Sequence, residues 1–155
     1  MSHIDWKLRP ASTQDRDFLF ELNRAALGRY VDATWGWDED AQIAYFDANF
    51  DPSTRDVIQI GDTDIGMLAV EETAESIYIA GISLLPEWQS RGIGSSILRS
   101  LIERSAATEK VLTLQVLHTN PRAIKLYESC GFVPTAETET HLLMCRSPEQ
   151  ELRGD

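Results

Sequence analysis

The stretch that predicts most about the fold is Leu84-Leu85-Pro86-Glu87-Trp88-Gln89-Ser90-Arg91-Gly92-Ile93-Gly94-Ser95-Ser96. An apolar run from Ser76 ends at Pro86 and a helical apolar pattern begins at Gly92, so a strand, a loop and a helix follow one another. The first N–H groups of a helix lack partners within the helix and attract anions. Gly92 and Gly94 permit close approach of the backbone to an anion, and Arg91 adds a positive charge suited to phosphate. The sequence therefore predicts an anion-binding loop.

The loop has three alternative interpretations. A P-loop is excluded because no Gly-Lys-Ser/Thr follows the first glycine. A dinucleotide-binding loop is disfavoured because a third glycine is missing and the next strand ends in His118-Thr119-Asn120 rather than in an acidic residue. A simple strand-to-helix turn without a ligand remains the alternative for a bare pair of glycines.

A second segment follows the next strand, and it is Asn120-Pro121-Arg122-Ala123-Ile124-Lys125-Leu126-Tyr127-Glu128-Ser129-Cys130-Gly131-Phe132. Together the two segments resemble the GNAT (GCN5-related N-acetyltransferase) superfamily. Gln89 to Gly94 match its Q/R-x-x-G-x-G/A acyl-CoA pyrophosphate motif, and Asn120 to Phe132 match its N-x-x-A-x-x-x-Y-x-x-x-G-F pattern. The order of elements also agrees, so the resemblance extends over essentially the whole chain.

The resemblance implies an enzyme that transfers an acetyl group directly from acetyl-CoA to a primary amine in a ternary complex, without a metal. The alternative is a non-catalytic acyl-CoA-binding or regulatory domain of the same fold, which would need no group to protonate the thiolate. A nucleotide-binding module is a further rival.

The resemblance also assigns residues. In the family, the strand before the loop separates from its neighbour and its backbone binds the pantetheine arm, a role that falls here to Leu84 and Leu85. Their N–H groups could also polarise the thioester carbonyl. Tyr127 would protonate the departing thiolate, although it could instead be a core aromatic. The residues implied in cofactor binding are Leu84, Leu85, Gln89, Ser90, Arg91, Gly92, Ile93, Gly94, Ser95, Asn120, Arg122, Ala123 and Tyr127.

A protonated amine must lose a proton before it attacks a thioester. Glu71, Glu72 and His118 lie at predicted strand ends and are the candidates for this base. Each has an ordinary interpretation, since paired glutamates before Thr73 are typical of a solvated turn and a lone histidine is usually structural. Ordered water is a further alternative.

The predicted element order is β-α-α-β-β-β-α-β-α-β-β, which favours a mixed α/β fold with a central mixed sheet and helices on both faces. The segment from Ile4 to Arg9 predicts the first strand. A helix is expected to begin near Ser12 or Thr13 and to stop at Gly28. A second is expected from the acidic run at Asp38, with an inner face of Ala41, Ala44, Tyr45 and Ala48. One domain over residues 1–147 and a loose tail over 148–155 are predicted.

Composition sets further bounds. The 155 residues carry a formal net charge of −11, which excludes a general nucleic-acid binder and disfavours an electrostatic membrane anchor. Residues 1–75 hold sixteen acidic and six basic residues, whereas residues 76–155 hold nine and eight. The two cysteines are too few for a disulfide framework or a closed zinc site. No signal peptide or membrane helix is evident, so a cytoplasmic location is expected.

The acidic first half of the chain is predicted to face the amine that accepts the acetyl group. Tyr30, Trp35 and Trp37 lie beside the acidic run, and aromatic rings with carboxylates suit a cationic amine. The alternative is that the tryptophans pack the two helices and that the acids only cap the second one. The acceptor could be a small molecule or a peptide, and a homodimer is an expectation from the family.

Overall fold

The computed structural model describes residues 5–150, and their elements follow the predicted order. The strands and helices are β1 (Trp6–Pro10), α1 (Arg16–Trp35), α2 (Glu39–Asn49), β2 (Asp56–Ile60), β3 (Thr63–Glu72), β4 (Ser76–Leu84), α3 (Ile93–Thr108), β5 (Val111–Leu117), α4 (Pro121–Ser129), β6 (Val133–Glu137) and β7 (His141–Arg146). Single 3₁₀ turns occupy Thr13–Asp15, Pro52–Thr54 and Pro86–Trp88. Ile4, with which the first strand was predicted to begin, lies outside the described residues.

The hydrogen-bonded strand order is β1-β2-β3-β4-β5-β7-β6. The pairs β1–β2, β2–β3, β5–β7 and β6–β7 are antiparallel, whereas β4 and β5 are parallel. The predicted mixed sheet is therefore confirmed. No helix within residues 5–150 is both long and apolar enough to cross a membrane.

The chain forms two compact units. The first comprises the residues up to Ala69 together with Gly81–Ile93, and the second comprises Val70–Ala80 together with the chain from Gly94 onward. Strands β3 and β4 contribute residues to both units. The predicted domain boundary at residue 147 stays a prediction, and residues 151–155 of the predicted tail lie outside the described part.

The first unit buries one face of each of its helices. Its core contains Leu19, Phe20, Leu22 and Ala26 of α1, Phe46 of α2 and Val57 of β2. The rings of Phe20 and Phe46 meet edge to face with 5.4 Å between centroids, and Phe46 stacks on Phe50 at 5.4 Å. Such aromatic pairs add to the free energy of apolar burial.

The predicted inner face of α2 was wrong. Ala41, Ala44, Tyr45 and Ala48 are all exposed. Phe46 is buried instead, and Ile43 and Phe50 pack against the same core. Ile43, Phe46 and Phe50 recur at helical spacing and bury far more apolar surface than a row of alanines, so this face wins.

The predicted stop of α1 at Gly28 was also wrong, because the helix continues to Trp35 and ends at Gly36, whose φ is +82°. A Cβ on Gly28 would lie 3.8 Å from the ring of Trp37. This would be an ordinary van der Waals contact, so Gly28 is an interior helix position without a conformational need for glycine, whereas Gly36 provides the left-handed conformation that ends the helix.

A buried carboxylate fixes the entry to α1. The side chain of Asp15 accepts two hydrogen bonds from Arg9, at 2.9 and 2.8 Å, and one from the backbone N–H of Ser12 at 2.8 Å. Ser12 in turn caps the turn that begins at Thr13, which completes a capping box. The Arg9 guanidinium holds the pKa of Asp15 below its usual value.

Candidate active site

The loop after β4 has the backbone of an anion-binding turn. Ser90 and Gly92 both adopt positive φ, +62° and +83°, on either side of Arg91. A Cβ on Gly92 would meet no atom within 4 Å, so glycine is required there by conformation and not by crowding. Left-handed residues alternating with ordinary ones turn successive N–H groups towards one side, which is how a backbone nest binds an anion.

Two side chains hold the loop from within. Gln89 donates its Nε2 hydrogen to the carbonyl oxygen of Leu84 at 2.9 Å. Arg91 donates from Nε to the carbonyl oxygen of Glu87 at 3.0 Å, and its guanidinium lies 4.9 Å from the Trp88 ring centroid. The positive charge of this exposed arginine is thus positioned by a cation–π contact rather than by a carboxylate.

The strand end before the loop differs in one respect from the prediction. The N–H of Leu85 donates to the carbonyl oxygen of Ile65 at 2.8 Å, and the carbonyl oxygen of Leu85 accepts from the N–H of Trp88 at 2.8 Å. The proposal that the Leu85 N–H polarises a thioester carbonyl is therefore contradicted, because that hydrogen is already bonded. Leu84 has a buried side chain.

The parallel ladder between β4 and β5 is short. Among the described residues it runs from Ser76 opposite Val111 to Ile79 opposite Leu114, although β4 has nine residues. The ladder therefore leaves the last part of β4 out of this pairing.

Asn120 and Tyr127 lie at the start and on the inner face of α4. The Oδ1 of Asn120 accepts from the N–H of Ala123 at 3.2 Å and caps the helix. Tyr127 is 8% exposed, and its ring meets Phe132 edge to face with 5.8 Å between centroids. Burial, with a smaller contribution from Cys130, raises the pKa of Tyr127 to about 12. The phenol is therefore neutral and carries a hydrogen that it can donate.

The structure argues against Glu72 as the base. Its carboxylate forms ion pairs with Arg104 at 2.7 Å and with Lys110 at 2.6 Å. Hydrogen bonds from these two cations lower the pKa of Glu72 to about 2. A carboxylate held in this way takes up a proton only in strong acid.

Glu71 and His118 differ in their surroundings. Glu71 is exposed at the end of β3. The Nε2 of His118 lies 3.0 Å from the carbonyl oxygen of Thr138. Since a carbonyl oxygen only accepts, Nε2 must be the donor, and the other ring nitrogen then carries the lone pair of the neutral ring.

We expect Glu72→Gln to leave kcat for acetyl transfer within about twofold of the wild type, since the ion pairs are exposed and serve the surface. A steady-state assay against Glu71→Gln as the matched variant measures this. The Glu72 pairs stabilise the fold above pH 4.5, and this stabilisation is lost as the pH falls through about 2. A large drop in kcat for Glu72→Gln alone would restore Glu72 as a base.

The predicted acceptor residues have different surroundings. Trp35 is 59% exposed and lines a cavity of 430 Å³ in the first unit. Tyr30 instead accepts a hydrogen bond from Arg29 at 2.7 Å, and the guanidinium lies 4.8 Å from its ring. Trp37 packs against the core and donates from Nε1 to Glu39 at 2.8 Å.

The acidic run beside these residues is used within the protein. Asp38 caps α2 by accepting from the N–H of Ala41 at 3.1 Å, and Glu39 forms an ion pair with Arg24. Asp38 therefore acts as the alternative predicted, namely as a cap of the second helix. The cavity is also lined by Arg55, which could not be predicted as a site residue because no periodicity or motif in the sequence marks it.

Within the described part of the chain, no three His, Cys, Asp or Glu side chains come together as metal ligands would. Cys130 and Cys145 are free thiols. The expectation of a reaction without metal stays a prediction.

Comparisons with known proteins agree with this geometry. The sequence model described as "Acetyltransferase (GNAT) family" matches residues 16–132. No curated protein sequence matches the chain significantly.

Three solved structures illustrate the likeness in fold. PaiA N-acetyltransferase from Thermoplasma acidophilum, in complex with coenzyme A, has a TM-score of 0.74 and 16% identity over 93% of this chain and 99% of its own. Ribosomal-protein-S18-alanine N-acetyltransferase from Escherichia coli has a TM-score of 0.65 and 16% identity, over 95% of this chain and 96% of its own. Spermidine N-acetyltransferase from Vibrio cholerae, in complex with CoA and spermine, has a TM-score of 0.64 and 21% identity, over 92% of this chain and 95% of its own. The family model spans most of the chain, and this chain therefore belongs to the acetyltransferase (GNAT) family.

Proposed function

We propose that the protein transfers the acetyl group of acetyl-CoA directly to a primary amine within a ternary complex. Membership of the family supports acyl transfer, and two of the similar structures hold coenzyme A. The observation that carries the proposal is the loop before α3, with its alternating positive φ angles at Ser90 and Gly92. A bare strand-to-helix turn would not need both of them.

The loop fits a pyrophosphate by its chemistry. Open space at Gly92 leaves room for an anion against the backbone, and the first turn of the 16-residue helix α3 offers N–H groups that no helical carbonyl uses. Arg91 adds a fixed positive charge. Gln89 to Ser95 would therefore bind the diphosphate. Asn120 would use its amide nitrogen on the cofactor arm, because its Oδ1 caps α4. Arg122 and Ala123 stay predicted contacts.

Acetyl-CoA supplies an activated acyl thioester. Tyr127 would donate a hydrogen bond from Oη to the departing sulfur. A phenol with a pKa of about 12 does not transfer its proton readily to a thiolate, whose thiol pKa is ~8.5. Its contribution is thus stabilisation of the developing charge by a hydrogen bond that is present at every pH at which the enzyme is folded and active.

Deprotonation of the amine has two remaining protein candidates, Glu71 and His118, besides ordered water. His118 has the more suitable chemistry, since an imidazole nitrogen accepts protons readily and the Thr138 carbonyl orients the ring through Nε2, which leaves the other ring nitrogen as the acceptor. We leave the choice among the three open. The homodimer and the cytoplasmic location also stay predictions.

The decisive experiment measures release of the CoA thiol from acetyl-CoA in the presence of a panel of primary amines and peptides. Acyl transfer is expected with at least one amine, with the acetylated product identified by mass spectrometry. Calorimetry with CoA, NAD and ATP is the companion measurement, and binding of CoA alone is expected. Tight binding of CoA without turnover on any amine would favour the non-catalytic domain, whereas preference for NAD or ATP would favour the nucleotide-binding module.

A further inference from the structure

The cavity in the first unit has a composition that selects among amines. It lies against α1, α2 and the strands β3 and β4, and its apolar wall includes Leu22, Met67 and the ring of Phe46. Trp35 and Tyr45 are both more than half exposed, at 59% and 68%, and stand at the same cavity. A volume of 430 Å³ is within the range of pockets for small ligands, roughly 300–1,000 Å³.

The polar residues of the cavity carry no negative charge. They are Asn23, Gln42, Asn49, Arg55 and Ser83. Four acidic residues of the first unit instead form ion pairs with other arginines: Asp15 and Asp64 with Arg9, Asp47 with Arg16 and Glu39 with Arg24. The first half of the chain has an excess of acidic residues, but none of those within residues 5–150 lines the cavity.

Arg55 differs from the other arginines of its unit. Its Nε is buried and has no hydrogen-bond partner, and no carboxylate within residues 5–150 forms an ion pair with it. The pKa of Asp51 is lowered mainly by hydrogen bonds from Ser53, at 2.6 and 3.0 Å, and only to a lesser extent by the charge of Arg55. A buried guanidinium N–H without a partner is costly unless a ligand accepts its hydrogen bond, and an anionic oxygen suits the positive charge.

One residue of the cavity wall lies next in the chain to the strand end for which pantetheine binding is predicted. Ser83 is buried, lines the cavity, and precedes Leu84 and Leu85 in the chain. An acceptor in the cavity would thus have its amine near Ser83 and its remaining polar group available to Arg55. The amide side chains of Asn23 and Gln42 could add neutral hydrogen bonds.

We propose that the acceptor is a small amino acid, with an apolar or aromatic side chain in the cavity and its carboxylate held by Arg55. This inference rests on the proposed function and names its substrate class. Arg55 is then a specificity-determining residue and not a catalytic one. A guanidinium suits a carboxylate because its paired N–H groups match the two oxygens.

The transfer balances with this acceptor. The amine nitrogen bonds to the acetyl carbon while the carbon–sulfur bond breaks, and the sulfur leaves with the electron pair of that bond. An ammonium acceptor and the thioester become an N-acetyl amino acid, the CoA thiol and one released proton. The carboxylate is unchanged throughout.

The test compares amines that differ only in the carboxylate. The probes are L-phenylalanine, L-phenylalaninamide and phenethylamine, assayed for acetyl transfer by wild type and by Arg55→Gln. We expect L-phenylalanine to be the best acetyl acceptor of the three for the wild type. Its KM should rise at least about tenfold in Arg55→Gln, since a hydrogen bond to a charged group contributes ~1.5–3 kcal/mol. The KM for phenethylamine should change little. Arg24→Gln is the matched control, because its charge is paired with Glu39 outside the cavity.

Binding without turnover separates this inference from the proposed function. Calorimetry should detect L-phenylalanine on wild type and on Arg24→Gln, with a loss of at least about tenfold in affinity for Arg55→Gln. Thermal melts should show Arg55→Gln as stable as wild type, because no partner is left behind. Acetyl transfer to phenethylamine that equals or exceeds transfer to L-phenylalanine, or an unchanged KM in Arg55→Gln, would overturn the carboxylate assignment while leaving the acetyltransferase intact. Binding of L-phenylalanine without any transfer would instead count against the proposed function.

Discussion

Tyr127→Phe should lower kcat for acetyl transfer by about 100-fold while leaving the Kd for CoA nearly unchanged. The substitution removes only Oη, and the ring keeps its edge-to-face contact with Phe132 at 5.8 Å. The lost interaction is one that the departing sulfur makes as charge develops, so kcat and kcat/KM should fall together. Stopped assays with a responsive amine and calorimetry with CoA measure the two quantities.

Tyr78→Phe is the matched control, since it removes a hydroxyl from β4 outside the assigned residues. The pH profile supplies a second readout. Burial raises the pKa of Tyr127 from 10.0 to about 12, so the hydroxyl should stay protonated and activity should not decline through its ionisation below about pH 11. The neutral form is favoured in the folded state, so this stabilisation is complete below pH 10 and is lost as the pH rises through about 12. Unchanged turnover in Tyr127→Phe would leave the residue as a core aromatic.

The sequence predicted best those elements whose ends carry their own chemical markers. The apolar run predicts a strand over Val111–Leu117, and Pro121 and Gly131 predict a helix that begins at Pro121 and ends at Ser129. β5 and α4 have these bounds. The end of α1 could not be predicted, since a glycine is tolerated inside a helix and no local marker distinguishes Gly28 from Gly36, whose positive φ ends the helix. The inner face of α2 was missed because alanines and phenylalanines there share the same helical spacing, and burial of the larger side chains decides between them.

In the candidate site too, features with a local sequence pattern could be predicted, whereas contacts between distant residues could not. The loop from Gln89 to Gly92 has a local pattern, and the structure gives it the conformation that such a pattern needs. The bond from Leu85 to Ile65 and the ion pairs of Glu72 join residues far apart in the chain, and no spacing announces them. Arg55 was missed for a related reason, because what distinguishes it is the absence of a carboxylate partner among the described residues.

Gly66→Ala should reduce the free energy of unfolding by about 3 kcal/mol and lower Tm by roughly 10 °C. A Cβ on Gly66 would overlap the carbonyl oxygen of Ser83 and lie 2.8 Å from Cδ2 of Leu84. The first of these is a backbone atom of β4, so the strand itself has to move. Urea denaturation followed by tryptophan fluorescence measures the loss, and the same data give the m-value that tests for two-state unfolding.

Gly81→Ala is the matched control in the neighbouring strand. Its new Cβ would lie 3.2 Å from Cε of Met67, the end of a flexible side chain that can move aside, so we expect a loss below about 1 kcal/mol. The comparison separates a strand displacement from the general effect of replacing a strand glycine. Because Ser83 lines the cavity and Leu84 precedes the loop, folded Gly66→Ala should also show a raised KM for its amine, whereas Gly81→Ala should not. Equal stabilities for the two variants would mean that β3 and β4 tolerate a methyl group at Gly66. The short distance between Gly66 and the Ser83 carbonyl oxygen would then not fix the position of β4.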